Sequence, residues 1–314
     1  MACHFLVVTD GSFLSDYSAA YLGGMYGGLE DMEFTVLHVA EPAPSWMYGR
    51  AVTAKGAAES LKKAEEVAEK NAERAAAMVE HTANLLAGQG FRPENIRKVV
   101  LPRGGSVAAT IMSYAKKGLY DAVLAGRRGI GHVMSYFIGS VSYNMLQIMK
   151  DVPVWFLEEP IESRKVLVAL DNCGECMKVA DHAAYVFRDV RDVEITLFHV
   201  VHTLVPGVHY GRRGDFADID SFYDELRADA VKEVFPMARG IFESNGFDMD
   251  RVNIRIEKSG RSVAVELMSE FSRGGYGTLV MGRRGVGGWE AMFPGSVSDR
   301  VMHSDIKGCI AIAG

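Results

Sequence analysis

The chain repeats itself, and that constrains its fold more than any other feature of the sequence. Gly126, Arg127, Arg128, Gly129 and Gly131, followed by Gly139, Ser140, Val141 and Ser142, recur as Gly282, Arg283, Arg284, Gly285 and Gly287, followed by Gly295, Ser296, Val297 and Ser298. All nine residues keep one offset, 282 − 126 = 156, without a gap. Upstream, Leu6-Val7-Val8-Thr9-Asp10 answers Leu167-Val168-Ala169-Leu170-Asp171, and Leu37-His38-Val39 answers Phe198-His199-Val200, at an offset of 171 − 10 = 161. A pattern repeated at fixed spacing reports one supersecondary unit used twice. The change of offset puts a net length difference of five residues between the blocks, as expected of a surface loop.

The 314 residues therefore divide into two domains of ordinary size, and the expected assignment is 1–159 and 160–314. The boundary falls in the polar stretch from Glu158 to Ser163, where Pro160 interrupts regular structure. In the first half, short apolar runs predict buried strands at Phe5–Val8, Phe34–Val39, Ile96–Leu101, Ala122–Ala125 and Val152–Leu157. The second half repeats them at Val166–Leu170, Glu194–Val200, Val252–Ile256, Thr278–Met281 and Cys309–Ala313. Helical periodicity is clearest over Ala57–Ala87, where Leu61, Ala64, Ala68, Ala72, Ala75 and Val79 recur among charged residues and Gly88 and Gly90 follow as a stop. Apolar strands alternating with helices predict an α/β fold, a doubly wound parallel sheet covered on both faces in each half.

Both glycine-rich motifs follow a predicted strand, where ligands bind in open parallel sheets. The glycines allow tight turns and close backbone approach, and Gly139-Ser140-Val141-Ser142 and Gly295-Ser296-Val297-Ser298 open helices whose N–H groups favour anions. Serine hydroxyls and the arginines Arg128 and Arg284 add donors for phosphate oxygens. The alternative is turn chemistry without a ligand.

The spacing Gly-x2-Gly-x9-Gly-Ser, met twice, resembles the ATP-binding signature of universal stress protein domains, and the first-strand aspartates Asp10 and Asp171 and the second-strand His-Val endings fit the same family. The resemblance implies two similar Rossmann-like domains of the adenine nucleotide α-hydrolase type, forming a pseudo-dimer. It implies an adenine and ribose pocket near Thr9, Asp10 and Val39, and its copy near Leu170, Asp171 and Val200. The phosphates of ATP, ADP or AMP would lie over Gly126, Arg128, Gly129, Gly139, Ser140, Val141 and Ser142, or over Gly282, Arg284, Gly285, Gly295, Ser296, Val297 and Ser298. Mg2+ would be held through those phosphates, with no protein metal site. The same resemblance implies that the halves pair through their last strands, 152–157 and 309–313, and leaves room for a homodimer.

The second copy departs from the first. Asp171 is followed by Asn172-Cys173-Gly174-Glu175-Cys176 where Asp10 is followed by Gly11-Ser12, and Pro294 replaces Ile138. The Cys173-x2-Cys176 pair beside a helix start is a redox candidate whose alternative is two small loop residues. His38 and His199 are expected to pack or hydrogen-bond at strand ends. Glu290 in the second loop faces Met134 in the first, so repetition supports no shared catalytic carboxylate, and no catalytic residue is assigned. The functional expectation is a nucleotide-binding stress or regulatory protein, with a weak ATPase or a thiol sensor as alternatives.

A net charge of −6 and a pI near 5.9 give no global field for nucleic acid or anionic membranes. No apolar run has the length of a membrane span, the first residues carry no leader pattern, and the 4 cysteines build no disulfide framework. The expected location is cytoplasmic.

Overall fold

Among the described residues strands and helices alternate at the positions the apolar runs predict. A computed structural model describes residues 3–48, 54–128, 138–149, 151–159, 162–171, 176–202, 225, 230–259, 261–283 and 296–314. The chain splits into two compact units, Met1–Val133 with Gly139–Val152, and Met134–Ile138 with Pro153–Gly314.

The first unit runs β1 (His4–Val8), α1 (Phe13–Tyr26), β2 (Glu33–Ala40), α2 (Ala54–Gly88), β3 (Ile96–Pro102), α3 (Val107–Gly118), β4 (Ala122–Gly126) and α4 (Ser140–Ile148). Its strands lie in the order β3-β2-β1-β4, all parallel. The path steps outward from β1 to β3 and then returns across the sheet to β4. Right-handed crossovers in opposite directions place helices on opposite faces. Accordingly α1 packs on α2, and α3 packs on α4. Phe5, Leu6, Val7, Val36 and Leu37 are fully buried or nearly so, because both faces of the sheet are covered.

Helix α2 keeps only part of its expected apolar stripe. Ala64, Ala75, Val79, Ala83 and Leu86 are buried, but Leu61 is 50% exposed and Ala72 is also exposed. The reason is length: 35 residues span roughly 50 Å, whereas the 7 residues of β3 cover roughly 23 Å. One end of α2 thus outruns the sheet that would cover it.

The second unit comprises β5 (Val154–Leu157), β6 (Lys165–Ala169), α5 (Cys176–Phe187), β7 (Glu194–His202), α6 (Phe235–Ser244), β8 (Val252–Ser259), α7 (Val263–Gly274), β9 (Thr278–Gly282), α8 (Val297–Met302) and β10 (Cys309–Ala313). Strand order is β5-β10-β9-β6-β7-β8. The order β9-β6-β7-β8 repeats β4-β1-β2-β3, and β5 joins β10 antiparallel with Trp155 opposite Ala311. Strand β5 begins at Val154 and not at Val152, because Pro153 offers no N–H to a ladder.

Trp155 of β5 is fully buried and donates its indole N–H to His182 Nε2 of α5 at 2.9 Å. Accepting that bond requires a neutral His182 with its proton on Nδ1. Burial pushes the His182 pKa down to about 3.

Leu119 marks a local conflict. It caps α3 in the left-handed region at φ 53° and is 86% exposed, while its counterpart at 119 + 156 = 275 is Gly275, at φ 66°. A Leu119→Gly variant is expected to be more stable by about 0.5–1 kcal/mol, since relief of left-handed strain exceeds the added chain entropy. Equilibrium urea unfolding measures this, and a destabilised variant would contradict it. No helix among the described residues is long and apolar enough to cross a membrane.

Candidate functional site

The strand order of the first unit reverses between β1 and β4, so the loops after these strands diverge and leave a crevice. A pocket of about 360 Å³ lies there, lined from the ends of β1, β2 and β4 and from α3 and α4.

One end of the pocket is formed by the start of α4. Gly139 is the N-cap of α4; its N–H donates to Arg127 O at 2.9 Å, and its carbonyl accepts the Tyr143 N–H at 2.8 Å. The N–H groups of Ser140, Val141 and Ser142 therefore precede the first helical hydrogen bond, and all three residues line the pocket. Half-buried Arg128 joins them, whereas Arg127 is buried and lies outside the lining. The Ser142 hydroxyl donates to Gly126 O at 2.8 Å, which ties the strand end to the helix start.

The other end presents a strand edge and an aspartate. Thr9 N donates to Leu37 O at 2.9 Å, after which β1 turns away. Parallel-strand residues face alternate neighbours, and Ala40 O accepts from Arg103 N on the β3 side. Val39 accordingly aims its N–H and C=O toward the side that β1 has vacated, where it lines the pocket opposite apolar Val107 and Ile111. Asp10 is fixed beside it: one carboxylate oxygen accepts from Ser12 N at 3.0 Å, Ser12 Oγ at 2.5 Å and Ser15 Oγ at 2.8 Å. Gly11 takes φ 74° to make this turn. His38 Nδ1–H donates to Thr9 O at 2.7 Å, so this histidine holds the loop from behind.

The second unit reproduces the frame. Leu170 N donates to Phe198 O at 2.9 Å, His199 Nδ1–H donates to Leu170 O at 2.8 Å, and Ser298 Oγ donates to Arg283 O at 2.9 Å. Asp171 is half-buried, Val200 is buried, and Gly282 ends β9. The helix start differs. Ser296 caps α8 by accepting the Asp299 N–H at 3.2 Å, and Asp299 places a carboxylate in the first turn, with Oδ1 3.4 Å from His303 Nδ1. Tyr143 occupies the matching position of α4, whose N-cap has no side-chain bond. The α8 start thus carries a side-chain cap and a first-turn carboxylate that the α4 start lacks among the described residues.

A family model for universal stress proteins matches residues 1–155 and again 162–304. The chain belongs to the universal stress protein family. Its fold is similar to that of a universal stress protein from Archaeoglobus fulgidus, at 19% identity and a TM-score of 0.63, with 99% of this chain and 97% of that chain covered. It is also similar to a functionally unknown protein from Pseudomonas aeruginosa PAO1, at 13% identity and a TM-score of 0.52, with coverages of 99% and 92%. At these identities the likeness is one of fold. No match was found among curated proteins.

In this tandem universal stress protein, the first-repeat candidates Thr9, Asp10, Val39, Gly126, Arg128, Gly139, Ser140, Val141 and Ser142 meet at one pocket. Gly129, Arg284, Gly285 and Gly295 lie outside the described residues, as do Cys173, Met134 and Glu290. Cys176 is buried at the start of α5, where a thiol is shielded from exchange. Ser12 and Ser15 escaped the sequence reading although they follow Asp10 directly; their Asx-type spacing was the available signal.

Proposed function

We propose that this universal stress protein binds an adenine nucleotide (ATP, ADP or AMP) in the first-repeat pocket and acts as a binding and regulatory protein, with at most slow hydrolysis. The observation that carries this reading is the start of α4, whose first three N–H groups precede the helix's own hydrogen bonds and whose residues, with Arg128, line a pocket whose far end offers the Val39 edge between apolar walls. An adenine carries a donor and an acceptor side by side on its outer edge, the complement of one residue's C=O and N–H. The ribose would lie near Asp10. Mg2+ would be held by the phosphates and would neutralise their mutual repulsion; Asp10 has one oxygen committed to three hydrogen bonds and serves as an anchor of the loop.

The second repeat, built on Leu170, Asp171, Val200, Gly282, Ser296, Val297 and Ser298 with Arg284, Gly285 and Gly295, is proposed as the weaker site, because Asp299 stands in the first turn of its helix. The proposed domains are 1–159 and 160–314, paired through their last strands; the antiparallel β5–β10 ladder supports that pairing.

Isothermal titration of the full chain with ATP and MgCl2 tests the reading. Binding below millimolar is expected, and Arg128→Gln is expected to weaken it about tenfold, the worth of one charge-assisted bond. No heat and no nucleotide in a denatured extract, even after millimolar loading, would overturn it.

A further inference from the structure

We propose that Thr82 of α2 is a positioning residue for the first-repeat pocket: through Thr9 it holds the Asp10 turn in its binding geometry. The proposal rests on the nucleotide reading above for its effect on affinity. Thr82 is fully buried, and its hydroxyl donates to Thr9 Oγ1 at 3.0 Å across 73 residues of chain. The same Thr9 oxygen accepts the Gly11 N–H at 3.2 Å. Gly11 is the left-handed residue of the turn that brings Ser12 and Ser15 onto the Asp10 carboxylate. The turn also sits hard on α2, since a Cβ at Gly11 would lie 2.9 Å from Met78. A second tether reaches the other strand end, where Asn71 Nδ2 donates to Glu41 O at 3.1 Å beside the pocket. Helix α2 therefore holds both backbone segments that frame the Asp10 end.

The second repeat supplies the internal control. Gly90-Phe91 and Gly246-Phe247 align at 246 − 90 = 156, which makes Ala238 the counterpart of Thr82, and Leu170 is the counterpart of Thr9. Leu170 and Ala238 are 4% and 0% exposed, so the second repeat has buried apolar residues at both corresponding positions. A buried hydroxyl pair must recover its desolvation through its own hydrogen bond, and its net gain is small. The apolar pair meets the needs of packing alone. What the hydroxyl pair adds is the bond to Gly11 N–H, and through it the shape of the turn.

The test uses the full chain as wild type, Thr82→Val, Thr82→Ser and the double variant Thr9→Leu/Thr82→Ala, which installs the second repeat's pair. Two quantities are read: ATP affinity in MgCl2, and hydrogen exchange of the Gly11 amide without nucleotide. Thr82→Val is expected to bind ATP about tenfold more weakly and Thr82→Ser within about twofold of wild type, as loss and return of one buried hydrogen bond imply. The double variant is expected to melt near the wild-type temperature yet bind about tenfold more weakly. Gly11 exchange is expected to rise in Thr82→Val and the double variant, and not in Thr82→Ser. Unchanged exchange in both would overturn the positioning role whether or not nucleotide binds. Wild-type affinity in both would overturn its consequence for binding, whereas absence of ATP binding in the wild type with altered Gly11 exchange would overturn the nucleotide reading alone.

Discussion

Ser140→Asp is expected to lower ATP affinity about 100-fold while leaving the melting temperature equal to or slightly above that of wild type. The two effects have opposite signs because one carboxylate meets two different charges. Ser140 is the first residue of α4 and is exposed, so an aspartate there interacts with the positive helix end and stabilises it by about 0.3–1 kcal/mol. Bound phosphates would occupy the same place. Two unit charges 4 Å apart at a partly screened surface repel by roughly 4 kcal/mol, and about two thirds of that equals the roughly 2.7 kcal/mol of a 100-fold loss. A Ser140→Asn variant has nearly the size of the aspartate without its charge and is expected to bind within about threefold of wild type. Titration calorimetry beside thermal melts separates the outcomes. An aspartate variant that binds ATP as tightly as wild type would show that phosphates do not rest on α4.

The second large effect concerns acid. His182 titrates near 6.5 in the unfolded chain and near 3 in the folded one, so between these values the unfolded state holds one more proton. Stability from this group is full above about pH 6.5 and falls by about 1.4 kcal/mol per unit as pH drops toward 3, reaching a loss of about 2.7 kcal/mol at pH 4.5. The cause is burial, which penalises the charged imidazolium, and a protonated His182 would also turn a donor toward the Trp155 indole N–H that now donates to it. His182→Gln retains an acceptor for Trp155 and removes the titration. Its stability deficit relative to wild type at pH 7.5 is expected to shrink by about 2.7 kcal/mol at pH 4.5, since carboxylate titrations are common to both proteins. Urea unfolding at several pH values measures the difference, and a deficit independent of pH would contradict a neutral buried His182.

These two predictions draw on different kinds of legibility. The α4 start was readable in the sequence because anion binding by backbone needs glycine and small residues in a local order, and the duplication printed that order twice. The same periodic signals placed the strand ends within three residues, since a strand covered on both faces shows a continuous apolar run. Leu61 was misplaced for a related reason: helical spacing reports which residues share a face, not whether the sheet reaches far enough to cover them. The bond from the Ser142 hydroxyl to Gly126 O at 2.8 Å was not legible either, because residue type reveals a hydroxyl but not which acceptor lies nearest.

By itself the sequence determined that this is a tandem repeat of α/β domains with a glycine-serine loop after the fourth strand of each. Local pattern and self-similarity suffice for that, because both are properties of neighbours along the chain. The tertiary structure alone decided which groups from distant segments meet: Thr82 with Thr9, Trp155 with His182, and the Val39 edge with the start of α4. It also decided that Asp299, which stands where the first repeat has Tyr143, lies in the first turn of α8 with its backbone N–H donating to Ser296 Oγ. Such pairings depend on how crossovers fold back over a sheet, and loop closure between residues 73 apart leaves no periodic trace in the residues themselves.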